Sequence, residues 1–269
     1  MSTEIRTVMA NGIEINVAIA GDGPAILLLH GFPHTWQVWS EIIPGLARTH
    51  LVIAPDLRGL GGTTRAGGGY DAGTLADDAL ALLDALAVPV AEVVALDLGV
   101  PPAVLLGLRR PARVSRLVVM EAALAPAEGF ARPWWFGFHA VPGLAERVVA
   151  GREGEYLDFF WRNGLHGGRA LPAGLRDAFL TGYRGEESLR CAFAHYRAMD
   201  TSTAQLAAEL PGRLTMPVTA IGAHPVGDVL HRQLTPFADR LRGHLIADCG
   251  HIVPLDRPRE LLELIGAAH

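Results

Sequence analysis

The chain contains no lysine; all 23 of its basic residues are arginine. That excludes chemistry through a lysine Schiff base. Only two cysteines are present, Cys191 and Cys249, so a disulfide framework is excluded, and their spacing signals no metal site. Both read as small apolar packing residues. Serine is confined to Ser2, Ser40, Ser115, Ser188 and Ser202, none in a strand-to-helix turn, which excludes a serine hydrolase. No apolar run reaches membrane-spanning length; the richest stretch, Leu75 to Leu106, is broken by Asp77, Asp78, Asp84, Glu92 and Asp97. The net charge of −5 is dispersed and forms no basic stripe, so nucleic acid is not an expected partner. The first residues offer no apolar signal region or small-residue cleavage site, and a cytoplasmic location is the expectation.

With 269 residues, half of them hydrophobic, the chain is expected to form one core domain carrying an inserted subdomain. Asn11-Gly12 between alternating apolar residues predicts a hairpin. Continuous apolar runs at Ala25 to Leu29, Leu51 to Ala54, Val93 to Leu96, Arg116 to Met120 and Val218 to Ile221 predict strands buried on both faces of a parallel sheet. Helical spacing appears in Ala72 to Leu86, Pro101 to Leu108, Leu230 to Leu241 and Arg257 to Ile265. This alternation predicts an α/β fold with a mostly parallel, doubly wound sheet. From residue 122 to 210 no buried strand is evident. The expectation is a helical cap over 122–210 on a core made of 1–121 and 211–269.

A nucleophile elbow is a sharp strand-to-helix turn that lifts one side chain above the sheet between small residues. The match here is Ala95-Leu96-Asp97-Leu98-Gly99, after Val93-Val94 and before Pro101. Its central residue is Asp97. Aspartate also suits a helix N-cap, so the turn alone leaves both roles open. Gly250-His251 lies near the C-terminus, where the order nucleophile, acid, histidine puts the base. Asp56-Leu57-Arg58-Gly59-Leu60-Gly61 reads as a structural turn braced by charge and glycine.

Together with His30-Gly31-Phe32-Pro33, these motifs resemble the α/β-hydrolase superfamily over essentially the whole chain. Within it the sequence is most similar to epoxide hydrolases and their dehalogenase relatives, whose elbow carries aspartate and among which HGFP is common. The elbow departs from their pattern, with Ala95-Leu96 where they usually have Gly-His. The resemblance implies an oxyanion hole from the amides of Phe32 and Leu98. It implies an acid behind His251 after one of two strands. Glu121, 24 residues past Asp97, fits the earlier position and is favoured, with Asp228 as the alternative. Trp134, Trp135 and Tyr196 fall where the group places donors to the leaving atom; packing is the competing role for each. His30 and Pro33 are expected beside the substrate.

The function implied is epoxide opening to a vicinal diol through an ester on Asp97, hydrolysed by water that His251 activates. No metal or organic cofactor is expected. The expected partner is a small molecule, bulky and aromatic, with an epoxide-bearing polyketide intermediate as the specific expectation; a homodimer stays open. A haloalkane or haloacid dehalogenase is the alternative, weakened by Leu98 and Pro101 at the elbow. A non-hydrolytic binder or cyclase of the same fold is the second alternative.

Overall fold

A computed structural model describes residues 2–128, 132–172 and 174–266. The hairpin forms as the turn chemistry predicts. β1 (Glu4–Ala10) and β2 (Ile13–Ala20) are antiparallel, and both turn residues have positive φ, +47° at Asn11 and +76° at Gly12. β3 (Ala25–Leu29) follows, then α1 (Ile43–Leu46) and β4 (Leu51–Pro55). α2 (Ala72–Ala85) leads to β5 (Ala91–Leu96), α3 (Val100–Arg109) and β6 (Val114–Met120).

Among the described residues, six α-helices then intervene before the next strand: α4 (Trp134–Ala140), α5 (Leu144–Val149), α6 (Glu153–Gly164), α7 (Leu175–Tyr183), α8 (Glu186–Arg197) and α9 (Met199–Glu209). The chain returns through β7 (Leu214–Gly222), α10 (Val229–Leu234), β8 (Ala238–Leu245), α11 (Val253–Asp256) and α12 (Pro258–Gly266). Among the described residues, no helix is long and apolar enough to cross a membrane.

The eight strands form one sheet in the order β1-β2-β4-β3-β5-β6-β7-β8. β2 meets β4 antiparallel; from β4 to β8 every pair is parallel. The order fixes where a site belongs. After β3 the chain crosses one way to β4, and after β5 it crosses the other way to β6. Right-handed crossovers then put α1 and α3 on opposite faces of the sheet. A crevice opens between the carboxyl ends of β3 and β5, at the point where the winding reverses. Those ends carry His30-Gly31-Phe32 and Asp97.

One predicted element is corrected. The helix expected over Leu230 to Leu241 ends at Leu234, and Ala238–Leu245 is the edge strand β8 paired with β7. Pro236 stops the helix, since it lacks an N–H and clashes with the preceding turn. The strand escaped notice because its sequence, Ala-Asp-Arg-Leu-Arg-Gly-His-Leu, is mostly solvent-exposed and polar, as edge strands commonly are.

Candidate active site

Asp97 sits at the carboxyl end of β5 with φ of +53°, a region that L residues rarely adopt. The helix-cap role is thereby displaced: a residue held in that strained turn projects away from the helix it precedes. Two glycines make the turn possible. A Cβ on Gly31 would come within 2.3 Å of Asp97 Oδ1, and one on Gly99 within 2.5 Å of the Leu29 carbonyl oxygen. The Ala95 and Leu96 side chains are both fully buried in the sheet, and neither lines the cavity above it.

The Asp97 carboxylate has two environments. The Phe32 N–H donates to Oδ1 at 2.9 Å, and the Leu98 N–H also donates to the carboxylate. Oδ2 lies 3.1 Å from His251 Nε2. Burial works against the charge. The hydrogen bond and charge of His251, with the two amides, outweigh it and hold the carboxyl below the usual carboxylate range.

His251 is gripped from its other side. Its Nδ1 lies 3.2 Å from Glu121 Oε2, and Glu121 Oε1 accepts the Ala223 N–H at 2.5 Å. Glu121 is fully buried and also strained, with φ of +50°. Burial disfavours the imidazolium, but the hydrogen bonds and charges of Asp97 and Glu121 prevail and push its pKa up to about 10. With a carboxylate at each nitrogen, the ring rests protonated and donates from both. The alternative acid, Asp228, is corrected. Its side chain is half exposed and pairs with Arg232 at 2.9 Å, four residues along the same helical turn.

Above this triad lies a cavity of about 790 Å³. That is within the range of sites for drug-sized ligands. Phe32, Pro33, Asp97, Leu98, Trp135, Tyr196 and His251 all line it, as expected. Tyr196 is 7% exposed and packs edge-on against Phe32 at 5.4 Å and Phe136 at 5.3 Å. Burial, then the charge of Asp97, raises its hydroxyl well above the usual tyrosine pKa, while a hydrogen bond with the Trp135 side chain opposes the rise. Tyr196 is therefore a fully protonated donor at neutral pH.

Two expected substrate contacts are not made. His30 is completely buried and does not line the cavity. Its Nε2 accepts the Leu57 N–H at 3.1 Å and its Nδ1 meets the Gly31 carbonyl at 2.9 Å, so it ties the β3 loop to the β4 loop. Trp134 is 58% exposed and faces a separate surface hollow, packing on Trp135 at 5.9 Å. The Asp56 turn is structural as read. Asp56 accepts N–H groups of Trp36 and Gly62 at 2.8 Å each, and Arg58 binds Asp78 through two bonds of 2.7 and 2.6 Å.

The motifs did not reveal His34, one residue past HGFP. It lines the cavity fully buried, with neither ring nitrogen hydrogen-bonded; burial pulls its pKa down to about 3. Phe136, Phe159 and Phe160 complete the aromatic wall. Their lining role follows from helix packing, for which one sequence gives no motif.

The fold agrees with comparison to known proteins. Residues 24–258 match the family model described as alpha/beta hydrolase fold. The chain belongs to the α/β-hydrolase family. It is 27% identical over 282 residues to the soluble epoxide hydrolase of Corynebacterium sp. (strain C12), spanning 98% of this chain and 96% of that protein. It is 28% identical to the 2-hydroxymuconate semialdehyde hydrolase of Pseudomonas sp. (strain CF600), over 97% and 92% of the two chains. Among solved structures, Cfl2 from Burkholderia cenocepacia superposes with a TM-score of 0.89 at 30% identity, covering 99% of this chain and 95% of that one. This α/β-hydrolase is thus an epoxide hydrolase-like protein and a hydrolase enzyme.

Proposed function

We propose that this α/β-hydrolase opens an epoxide on a bulky apolar substrate to a vicinal diol, through a covalent ester on Asp97. One observation carries the reading. The elbow residue is a carboxylate that already holds the Phe32 amide on Oδ1 and also accepts from the Leu98 amide, while Oδ2 lies against His251. A group with that arrangement is a nucleophile whose acyl oxygen is bound in advance.

The steps balance with these residues alone. Oδ2 attacks one ring carbon, the ring C–O bond breaks, and Tyr196 protonates the departing oxygen. Esterification removes the charge on Asp97. That loss takes away one of the two carboxylates holding His251 protonated, so its pKa falls. The imidazolium proton returns to the Tyr196 phenolate, leaving His251 neutral. Neutral His251, oriented by Glu121, takes a proton from water, which attacks the ester carbon. The Phe32 and Leu98 amides hold the resulting oxyanion. Collapse expels the diol with a proton from His251, and ionisation of the Asp97 carboxyl restores the resting pair. In this reading the helices of residues 122–210 act as the cap that carries Tyr196 and excludes bulk water.

The test is His251→Gln incubated with styrene oxide. The expected result is an adduct of one substrate mass on the peptide carrying Asp97, with diol release arrested. Turnover at the wild-type rate, or no adduct from an enzyme still consuming epoxide, would remove the covalent route. Halide release from haloalkanes and from fluoroacetate, measured in parallel, separates the dehalogenase alternative. That alternative has less support, because Leu98 has no hydrogen-bond donor in its side chain.

A further inference from the structure

The cavity that holds the reacting carboxylate is also lined by α9, which packs on α2 and α3; we call this part of it the arm. Its walls there come from the starts of α2 and α3 and from α9: Ala72, Leu75, Pro101, Pro102, Thr203 and Leu206. Two helix N-termini therefore face this arm, and such ends ordinarily attract anions through their free amides. Here both ends have lost those donors.

At α2 the first three amides are already engaged. The Ala72 N–H donates to Ser202 Oγ at 2.9 Å, the Gly73 N–H to Gln205 Oε1 at 2.8 Å, and the Thr74 N–H to Asp71 Oδ1 at 3.1 Å. Two of the three acceptors come from α9, so the helix that roofs the arm also caps α2. At α3 the Val100 N–H bonds the Asp97 carbonyl, and the next two residues, Pro101 and Pro102, have no N–H. Three polar side chains nearby are occupied as well. The Tyr70 hydroxyl donates to the Ala66 carbonyl at 2.6 Å, the Ser202 hydroxyl to the Ala198 carbonyl at 3.0 Å, and His195 Nε2 lies 3.0 Å from the Arg58 carbonyl. A carboxylate or phosphate entering the arm loses its water and finds no free amide at either helix end; the Thr203 hydroxyl on the arm's wall, and Arg132 elsewhere in the cavity lining, which Asp200 engages at 3.5 Å, are the donors it could meet.

We propose that this arm holds the uncharged, apolar part of the substrate, and that Thr203 and Leu206 on α9 set how large that part can be. The proposal builds on the epoxide reading for the bond that reacts, but the arm selects the non-reacting group by itself. The substrate class is then an epoxide with a bulky aryl or alkyl substituent free of anionic groups.

Three probes test it: styrene oxide, which is small; trans-stilbene oxide, which is extended; and the 4-carboxylate of trans-stilbene oxide. For the wild type, kcat/KM for trans-stilbene oxide should exceed that for its carboxylate by about tenfold or more. Thr203→Phe should lower kcat/KM for trans-stilbene oxide about tenfold, a clearly larger loss than it causes with styrene oxide. Leu206→Ala, which enlarges the arm, should favour still bulkier diaryl epoxides over styrene oxide. Binding of trans-stilbene, which has no epoxide, reads the arm without chemistry, and Thr203→Phe should weaken it about tenfold. Equal loss on both epoxides, no effect of Thr203→Phe on stilbene binding, or equal acceptance of the carboxylate would overturn the arm assignment. A wild type that binds trans-stilbene but opens no epoxide would instead overturn the reaction and leave the arm in place.

Discussion

The two sides of the cavity are built on different principles. The sheet side carries charge held by strained backbone: Asp97 and Glu121 both have positive φ, and His251 lies between them. Among the described residues, the helical side lines the cavity with Arg132 and otherwise with uncharged groups. It presents an aromatic wall in which Tyr196 and Trp135 supply the polar hydrogens. In the proposed reaction, strain and charge set nucleophile and base against a rigid sheet, whereas packing sets the acid on helices that are free to vary with the substrate. The first side would then hold the nucleophile and base, and the second the acid and the selection of substrate.

The sharpest way to break this division is at Asp97. Asp97→Asn keeps the shape and removes the charge, and turnover should fall by about 10⁴-fold or more. In the same variant the His251 pKa should drop from about 10 toward its ordinary 6.5, read by NMR titration of the ring protons. The sign follows from linkage. In the native chain the stabilisation from this pairing is complete below 6.5 and is lost as pH rises through about 10. A His251 that still titrated near 10 in Asp97→Asn would assign the shift to Glu121 alone.

Tyr196→Phe comes next. It removes the acid while keeping the edge-on packing, so epoxide opening should fall about 10³-fold with little change in thermal stability. An equal loss from Phe136→Leu would make the wall, not the hydroxyl, responsible. Glu121→Gln should cost about 10²-fold in kcat, while Asp228→Asn should stay within about twofold. The reverse order would return the acid to the later strand. The smallest pair lies in α4. Trp135→Phe should reduce kcat about tenfold, and Trp134→Ala should leave it unchanged. Equal effects would mean that α4 is oriented otherwise than described.

The same division explains what the sequence revealed. The sheet side was legible because its geometry demands particular residues in order: glycine where Gly31 meets Asp97 and where Gly99 meets the Leu29 carbonyl, with Asp97 at the turn between and Gly-His after the last strand. Spacing favours Glu121 over Asp228 without excluding the latter, because both follow strand ends and only the fold decides which carboxylate reaches His251. The helical side was legible in composition but not in direction. Trp134 and Trp135 are neighbours on one helix, about 100° apart around its axis, so the cavity receives one and solvent the other. His30 was misassigned for a similar reason. HGFP fixes the path of the backbone, but the His30 ring turns down to hold the Leu57 amide instead of up toward the substrate.

The most direct measurement is a single turnover of styrene oxide in heavy-oxygen water, followed by mass analysis of the peptide carrying Asp97. In the covalent route the Asp97 oxygen that attacked the epoxide leaves in the diol, and one oxygen from solvent replaces it in the carboxylate. The account therefore predicts label in Asp97 and an unlabelled first-turnover diol. Label in the diol with Asp97 unlabelled would mean that water attacks the epoxide directly and that Asp97 is not the nucleophile.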